Sequence, residues 1–227
     1  MNNSSSHLAK PSDSTKSPIP SMPWAAKHQW HFSFPTLCVI CVAMTLMGVG
    51  EGVLVLANLG SSPWTVFSQG IALQTGASIG IVVALVSIVV LLLWIPLKLR
   101  FGLGTILNIL IIAFSIDFTV RYFPSPDMLV TRIIYMTGGI LLFGVSTTFY
   151  LSCKLGAGPR DGLMVGLCQK FGWKIALVRT CIEISVCFLG FLFGGTVGIS
   201  TVAFALCVGW VIQFTARYLH WYYKRFE

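Results

Sequence analysis

"KLGAGPRDGLMVGL", Lys154 to Leu167, lies between two long apolar segments, and "NLGSSPWTVFSQGI", Asn58 to Ile71, lies between two others. A shift of 96 positions, without a gap, lays the second stretch on the first, so that Leu59, Gly60 and Pro63 fall on Leu155, Gly156 and Pro159. The same shift sets Gly48 on Gly144, Gly70 on Gly166, Gly76 on Gly172, Gly102 on Gly198 and Thr105 on Thr201. One register kept across so many glycines and both prolines reads as two copies of one structural unit.

The unit is built for a bilayer. Of 227 residues only 10% are charged and 56% are hydrophobic, and the mean hydropathy of +0.83 lies far outside the usual soluble composition. A hydrocarbon core of about 30 Å takes about 20 apolar residues per helix. Six segments qualify: Thr36 to Ala57, Ser78 to Leu97, Gly104 to Val120, Thr131 to Leu151, Ile175 to Phe193 and Ile199 to Ala216. Nothing shows the ten-residue alternation of an outer-membrane barrel. The fold class is therefore all-α and polytopic, with two further pieces, Ser61 to Leu73 and Gly158 to Lys170, too short to cross. Helices of that length reach only ~20 Å at 1.5 Å per residue and are expected to be re-entrant or interfacial.

Each copy thus reads as span, short helix, span, span. Three crossings is an odd number, so the halves, residues 34–123 and 124–227, are expected in opposite orientations as an inverted repeat. Positive residues support this topology. With both termini cytoplasmic, Lys98, Arg100, Lys154, Arg160, Lys170, Lys174, Arg217, Lys224 and Arg225 join Lys10, Lys16 and Lys27 inside, leaving Arg121 and Arg132 outside. Residues 1–33, rich in Ser, Pro and Lys, read as a disordered cytoplasmic tail without the features of a secretory signal. Trp24, Trp30, Phe32 and Phe34 before the first span, and "YLHWYYKRF" after the last, read as interfacial anchors.

Several function classes drop out. The net charge of +8 is spread singly over span ends and forms no basic stripe, so nucleic acid is not an expected partner. Seven cysteines, mostly inside apolar runs, behave as small hydrophobes; Cys38 and Cys41 have C-x-x-C spacing but no second pair, and His28 and His31 have no companion ligand, so no metal site is expected. No histidine lies between His31 and His220, which removes a Ser/His or Cys/His nucleophile from the membrane core. No Walker-type phosphate loop is present either. The chain is expected not to be an enzyme and to need no cofactor.

Candidate site residues cluster at the short helices. Ser62 before Pro63, and Gly158 before Pro159, are cap-then-proline starts whose free N–H groups and positive dipole ends face whatever precedes them. Such starts hold anionic groups in transporters with broken helices, and equally suit flat interfacial helices. Trp64, Arg160 and Asp161 follow directly. Arg179 and Glu183, four apart on one face of the fifth span, can pair, and with Arg160 and Asp161 they form either a solute site or a brace pinning the short helix. Glu51 in "GVGEGV" is an isolated membrane acid between Gly50 and Gly52, and Gly48 and Gly52 offer a small face for another helix. Gly190 and Gly194 repeat that spacing, and Asp117 is placed to pair with Arg121.

"LGSSPWTVF", "LRFGLGTILN", "LGAGPRDGLMVGL", "VRTCIE" and "LFGGTVGISTVAFAL", in this order, resemble the bacterial YczE/YyaS/YitT-type integral membrane proteins from about Gly48 to the last span. The resemblance implies a multi-pass protein of the bacterial inner membrane, of a largely uncharacterised family of predicted membrane proteins with transporter-like suggestions. It carries over to Leu59, Gly60, Pro63, Trp64, Gly104, Thr105, Gly156, Gly158, Pro159, Arg160, Asp161, Gly162, Arg179, Glu183, Gly194, Gly195, Gly198 and Thr201. Members commonly have an acid after "PW"; this chain has Thr65, so the first copy lacks the counterpart of Asp161. Glu51 is not part of the shared pattern.

Two functions fit these residues. One is a transporter or permease for a small solute, anionic or weakly acidic and coupled to an ion gradient. The other is a non-transporting scaffold or accessory subunit of a membrane or biosynthetic complex. The partners implied are the lipid bilayer and either a small solute or a membrane protein, which includes a second copy of this chain.

Overall fold

The computed structural model describes residues 22–31 and 33–224, and among these the regular elements are all helices. They are α1 (Phe34–Ala57), α2 (Pro63–Thr75), α3 (Ile79–Leu92), α4 (Trp94–Leu97), α5 (Leu103–Tyr122), α6 (Leu129–Ser152), α7 (Pro159–Phe171), α8 (Ile175–Leu192) and α9 (Ile199–Lys224). Pro96 has no N–H to offer Leu92, so the second span breaks into α3 and α4. Counting those two as one, six helices are long and apolar enough to cross a membrane.

Helix starts recur at the 96-residue interval: α2 and α7, α3 and α8, and α5 and α9 begin at matching positions. Both short helices open on a proline and close on a left-handed glycine, Gly76 (φ 72°) and Gly172 (φ 69°), where only glycine turns without strain. The links before them also correspond. Leu59 O accepts from Ser200 N at 2.9 Å, and Leu155 O accepts from Gly104 N at 2.9 Å. Each copy's break is thereby stitched to the first turn of the other copy's last helix.

Contacts fix the directions. Along α1 and α6 the residue order runs opposite: Thr36 meets Cys153, Met47 meets Thr147, and Gly50 packs on Gly139. These corresponding helices are antiparallel. α1 and α5 run parallel, with Gly48 against Ser115 and Gly52 against Thr119; a Cβ at either glycine would stand 2.6 Å from its neighbour's Cβ, so the small face does receive a helix. α6 and α9 repeat that pairing, with Gly144 against Val211 and Thr148 Oγ1 donating to Ile212 O at 3.3 Å.

The short helices cross over between copies. α2 lies along α8, where Gly190 sits on the backbone of Val66 and Phe67, and Gln74 Nε2 donates to Phe193 O at 3.0 Å. α7 lies along α4, where Gly162 sits on the Trp94 ring and Trp94 Nε1 donates to Pro159 O at 3.0 Å. Each runs parallel to its host and ends level with that host's end. α8 ends on the side where α1 ends, and α4 ends on the side where α1 begins. The two short helices therefore start in the interior and run toward opposite faces.

α1 is the most enclosed of the six long helices, with Ile40, Met44 and Leu54 fully buried, and α8 the least, with Ile184, Phe188 and Leu192 turned outward. The sequence boundary of the tail needs correction. Met22 and Ala26 are buried, Trp24 Nε1 donates to Ser152 Oγ at 2.8 Å, and Ala26 N donates to Cys153 O at 2.9 Å. Residues 22–26 are thus packed on the start of α1 and the end of α6, while Gln29 O accepts from Leu103 N at 3.0 Å at the start of α5. Trp24 stacks on Phe149 and meets Tyr223 edge-on. The tail proper (1–21), and with it Lys10 and Lys16, lies outside the described residues, as do Phe32 and Arg225.

Candidate functional site

The starts of α2 and α7 open onto one cavity of about 380 Å³. Nine of the ten residues singled out by sequence line it: Glu51, Ser62, Pro63, Trp64, Gly158, Arg160, Asp161, Arg179 and Glu183. Pro159 does not; its carbonyl faces the other way and holds the Trp94 indole. Further polar side chains complete the lining, among them Ser87, Asn108 and Thr147.

At α2, Glu51 reaches across from α1. It is 1% exposed, and its carboxylate accepts from Ser62 Oγ at 2.8 Å and from Thr65 Oγ1 at 2.6 Å. Ser62 Oγ also accepts weakly from Thr65 N, at 3.4 Å, as an N-cap. A carboxylate at a helix N-terminus satisfies donors and complements the dipole. The protein's own acid therefore fills this start, which is not left open for an external anion. Thr65, the position where the first copy lacks an acid, is one of the two residues that hold Glu51. Acid and hydroxyl have traded places across the repeat: Glu51 and Thr65 correspond to Thr147 and Asp161. Aligning the two copies for that exchange, rather than for identity, marks Thr65 and Thr147 as the hydroxyl partners of the two acids.

At α7, Gly158 has no side chain to cap with, and the hydroxyl of Tyr150 on α6 accepts the Gly158 N–H instead. Tyr150 is 1% exposed and donates to Asp161 Oδ2 at 3.4 Å. Its counterpart in the first copy is Leu54, so no symmetry argument pointed to it.

Arg160 places its guanidinium 5.2 Å from the centre of the Trp64 ring, joining the two helix starts through a cation–π contact. It also acts electrostatically on Glu51 and Asp161. Arg179 Nε and Glu183 Oε1 pair at 2.8 Å, and their side chains keep 45% and 25% of their surface. Arg179 also acts on Asp161, so the charges of α7 and α8 both line the cavity and attract one another across it. Asp117 does not pair with Arg121: it accepts from Ser78 Oγ and, at 2.7 Å, from Gly80 N, closing the start of α3. Among the described residues no three His, Cys, Asp or Glu side chains come together as metal ligands.

The chamber thus presents three carboxylates, two guanidinium groups and several hydroxyl and amide groups, between apolar walls from Met47, Ile112 and Phe204. Its volume lies within the roughly 300–1,000 Å³ typical of ligand pockets.

Comparison with known proteins places the chain among membrane proteins. It is 52% identical over 196 residues, 86% of this chain and 90% of the other, to an uncharacterised protein of Haemophilus influenzae. It is 29% identical over 192 residues, 82% of this chain and 85% of the other, to the uncharacterised membrane protein YczE of Bacillus subtilis. To the uncharacterised protein YyaS of the same organism it is 25% identical over 173 residues, 74% of this chain and 85% of the other. No solved structure matches. The fold, the six apolar helices and these relatives agree with the match of residues 34–217 to the model of a family of unknown function, DUF6198, and the chain is a multi-pass membrane protein that belongs to it.

Proposed function

We propose that the protein is a secondary transporter or permease for a small solute, working from the bacterial inner membrane with both termini cytoplasmic. The observation that carries this reading is the convergence of the starts of α2 and α7 on one cavity lined by charged groups. Flat interfacial helices would have left those starts at opposite surfaces. The antiparallel course of α1 and α6, together with the matching helix starts, supports an inverted repeat, the architecture in which rocking one half against the other alternates access.

The chamber's charges bear on the solute. Because Glu51 occupies the start of α2, a simple anion has only Arg160 and Arg179 to meet, and three carboxylates oppose it. A solute with both an acidic and a basic or donor group suits the lining better.

Uptake into proteoliposomes over a broad solute panel tests the proposal. A saturable flux that falls at least about tenfold in Arg160→Ala, the size expected for a desolvated charge contact, and that falls also in Glu183→Gln, is the expected result. A panel in which no flux depends on either residue defeats it, and co-purification with a membrane partner would then favour the scaffold.

A further inference from the structure

A second, larger hollow lies beside the chamber, about 700 Å³, between α2, α3 and α8. It is lined by apolar side chains such as Phe67, Val82, Val86 and Leu163, and carries no charged group. Its rim is open: Leu85 and Val89 on α3 are 56% and 58% exposed, and Cys181 and Ser185 on α8 are exposed as well. In a bilayer those residues face hydrocarbon.

Two residues, Trp64 and Ile182, line both this groove and the charged chamber. The partition is therefore one side chain thick. Arg160 sits against the same Trp64 ring, 5.2 Å from its centre, so a charge on the chamber side stands next to an apolar slot on the lipid side. A groove within the membrane has no water to fill it, and an empty one would forfeit the dispersion contacts of its walls. Hydrocarbon is the matter at hand.

From this continuity we infer that the solute of the proposed transporter is an amphiphile with one alkyl chain, entering from the bilayer: the chain lies in the α2–α3–α8 groove and a compact zwitterionic headgroup reaches the chamber past Trp64. The two signs of charge in the chamber match the headgroup, and the groove's apolar lining and lack of charge match the chain. This inference rests on the chamber being the solute site.

The test is photolabelling of the full chain in membranes with a lysophosphatidylcholine that carries a diazirine at its chain end. Crosslinks on groove residues such as Phe67, Val86 and Val186 are expected. They should fall at least about tenfold in Ser185→Trp, which fills the slot from its exposed rim, and as much in Arg160→Ala, because the headgroup anchors the chain through a desolvated charge. Val89→Trp serves the same end should Ser185→Trp fail to fold. Labelling that is equal in Arg160→Ala and the unaltered chain identifies ordinary bilayer lipid and overturns the inference, as does absence of groove crosslinks. A tailless polar solute whose flux needs Arg160 and ignores both tryptophan variants would also overturn it, while leaving the transport reading standing.

Discussion

The starts of α2 and α7 occupy corresponding places in the two copies and solve the same problem with different residues. Each buries free N–H groups and a positive dipole end, and each has a carboxylate within reach. At α2 the acid comes from the long helix, Glu51 on α1, and the hydroxyls Ser62 and Thr65 come from the short one. At α7 the acid, Asp161, lies in the short helix's first turn and the hydroxyl, Tyr150, comes from the long one. Seating follows the same exchange. α2 carries bulk, Val66 and Phe67, and rests on Gly190; α7 carries Gly162 and rests on Trp94, the residue that corresponds to Gly190. What the repeat conserves is the filled space and the paired charge, and which partner supplies them is free to change.

The seats should differ most sharply under mutation. A Cβ at Gly190 would stand 2.5 Å from the backbone nitrogen of Phe67, which cannot move without moving α2. Gly190→Val is therefore expected to cost at least about 3 kcal/mol, and the helical protein should fail to purify as one species in detergent. Truncating Val66 should not rescue it. Gly162→Val instead strikes the Trp94 ring, a side chain, so Trp94→Ala should restore about 1–2 kcal/mol to Gly162→Val when thermal unfolding of the double variant is compared with that of the single ones. Equal behaviour of the two seats would break the comparison.

The caps come next in size. Glu51→Leu removes the acceptor of two hydroxyls, at 2.8 and 2.6 Å, which keep each other, 3.1 Å apart, while Ser62 Oγ also keeps the Thr65 N–H at 3.4 Å. A loss of about 2 kcal/mol is expected from these lost buried hydrogen bonds. Asp161→Leu gives up one long hydrogen bond, the 3.4 Å contact with Tyr150, besides the attraction of Arg179 and Arg160, and should cost about half as much. Tyr150→Phe lies near the same value, since it leaves the Gly158 N–H without its acceptor. Denaturation monitored by intrinsic fluorescence ranks the three, and Asp161→Leu falling below Glu51→Leu would reverse the account of which start is the more tightly filled.

Much of this molecule can be read from its sequence because bilayers and repeats leave coarse signals. Length and hydropathy mark the spans to within a few residues at most ends, as with Ile175–Leu192, and the 96-residue register places both short helices with their prolines and glycines. α9, which runs on to Lys224, is longer than its apolar stretch, since aromatic residues carry the helix past Ala216. Nine of ten chosen residues meet at the chamber because prolines, membrane charges and helix starts are rare enough to stand out. Tyr150 and Asn108 were invisible for the opposite reason: one polar tip in a long apolar run is the commonest thing a span contains. Trp24 was hidden by its neighbours, a lone aromatic at the end of a Ser- and Pro-rich segment whose burial depends on a surface 128 residues away.

The finest contrast is the cap itself. Ser62 and Gly158 correspond, and both adopt the extended backbone of an N-cap, φ −62° and −64° with ψ 152° and 157°. Gly158→Ser would give α7 the hydroxyl that α2 has, a gain of a few tenths of a kcal/mol over glycine. The added Cβ, however, would come within 3.2 Å of the Tyr150 hydroxyl and 3.3 Å of the Asn108 amide, close enough that both must yield slightly. The terms oppose, and the melting temperature should hold within about 2 °C. Combined with Tyr150→Phe, the same serine should become clearly stabilising, because the hydroxyl it would crowd is gone and α7 then lacks any side-chain cap. If Gly158→Ser is severe in the unaltered chain and stays severe beside Tyr150→Phe, the space at that start is held for the chamber and Asn108, and the two caps are not exchangeable.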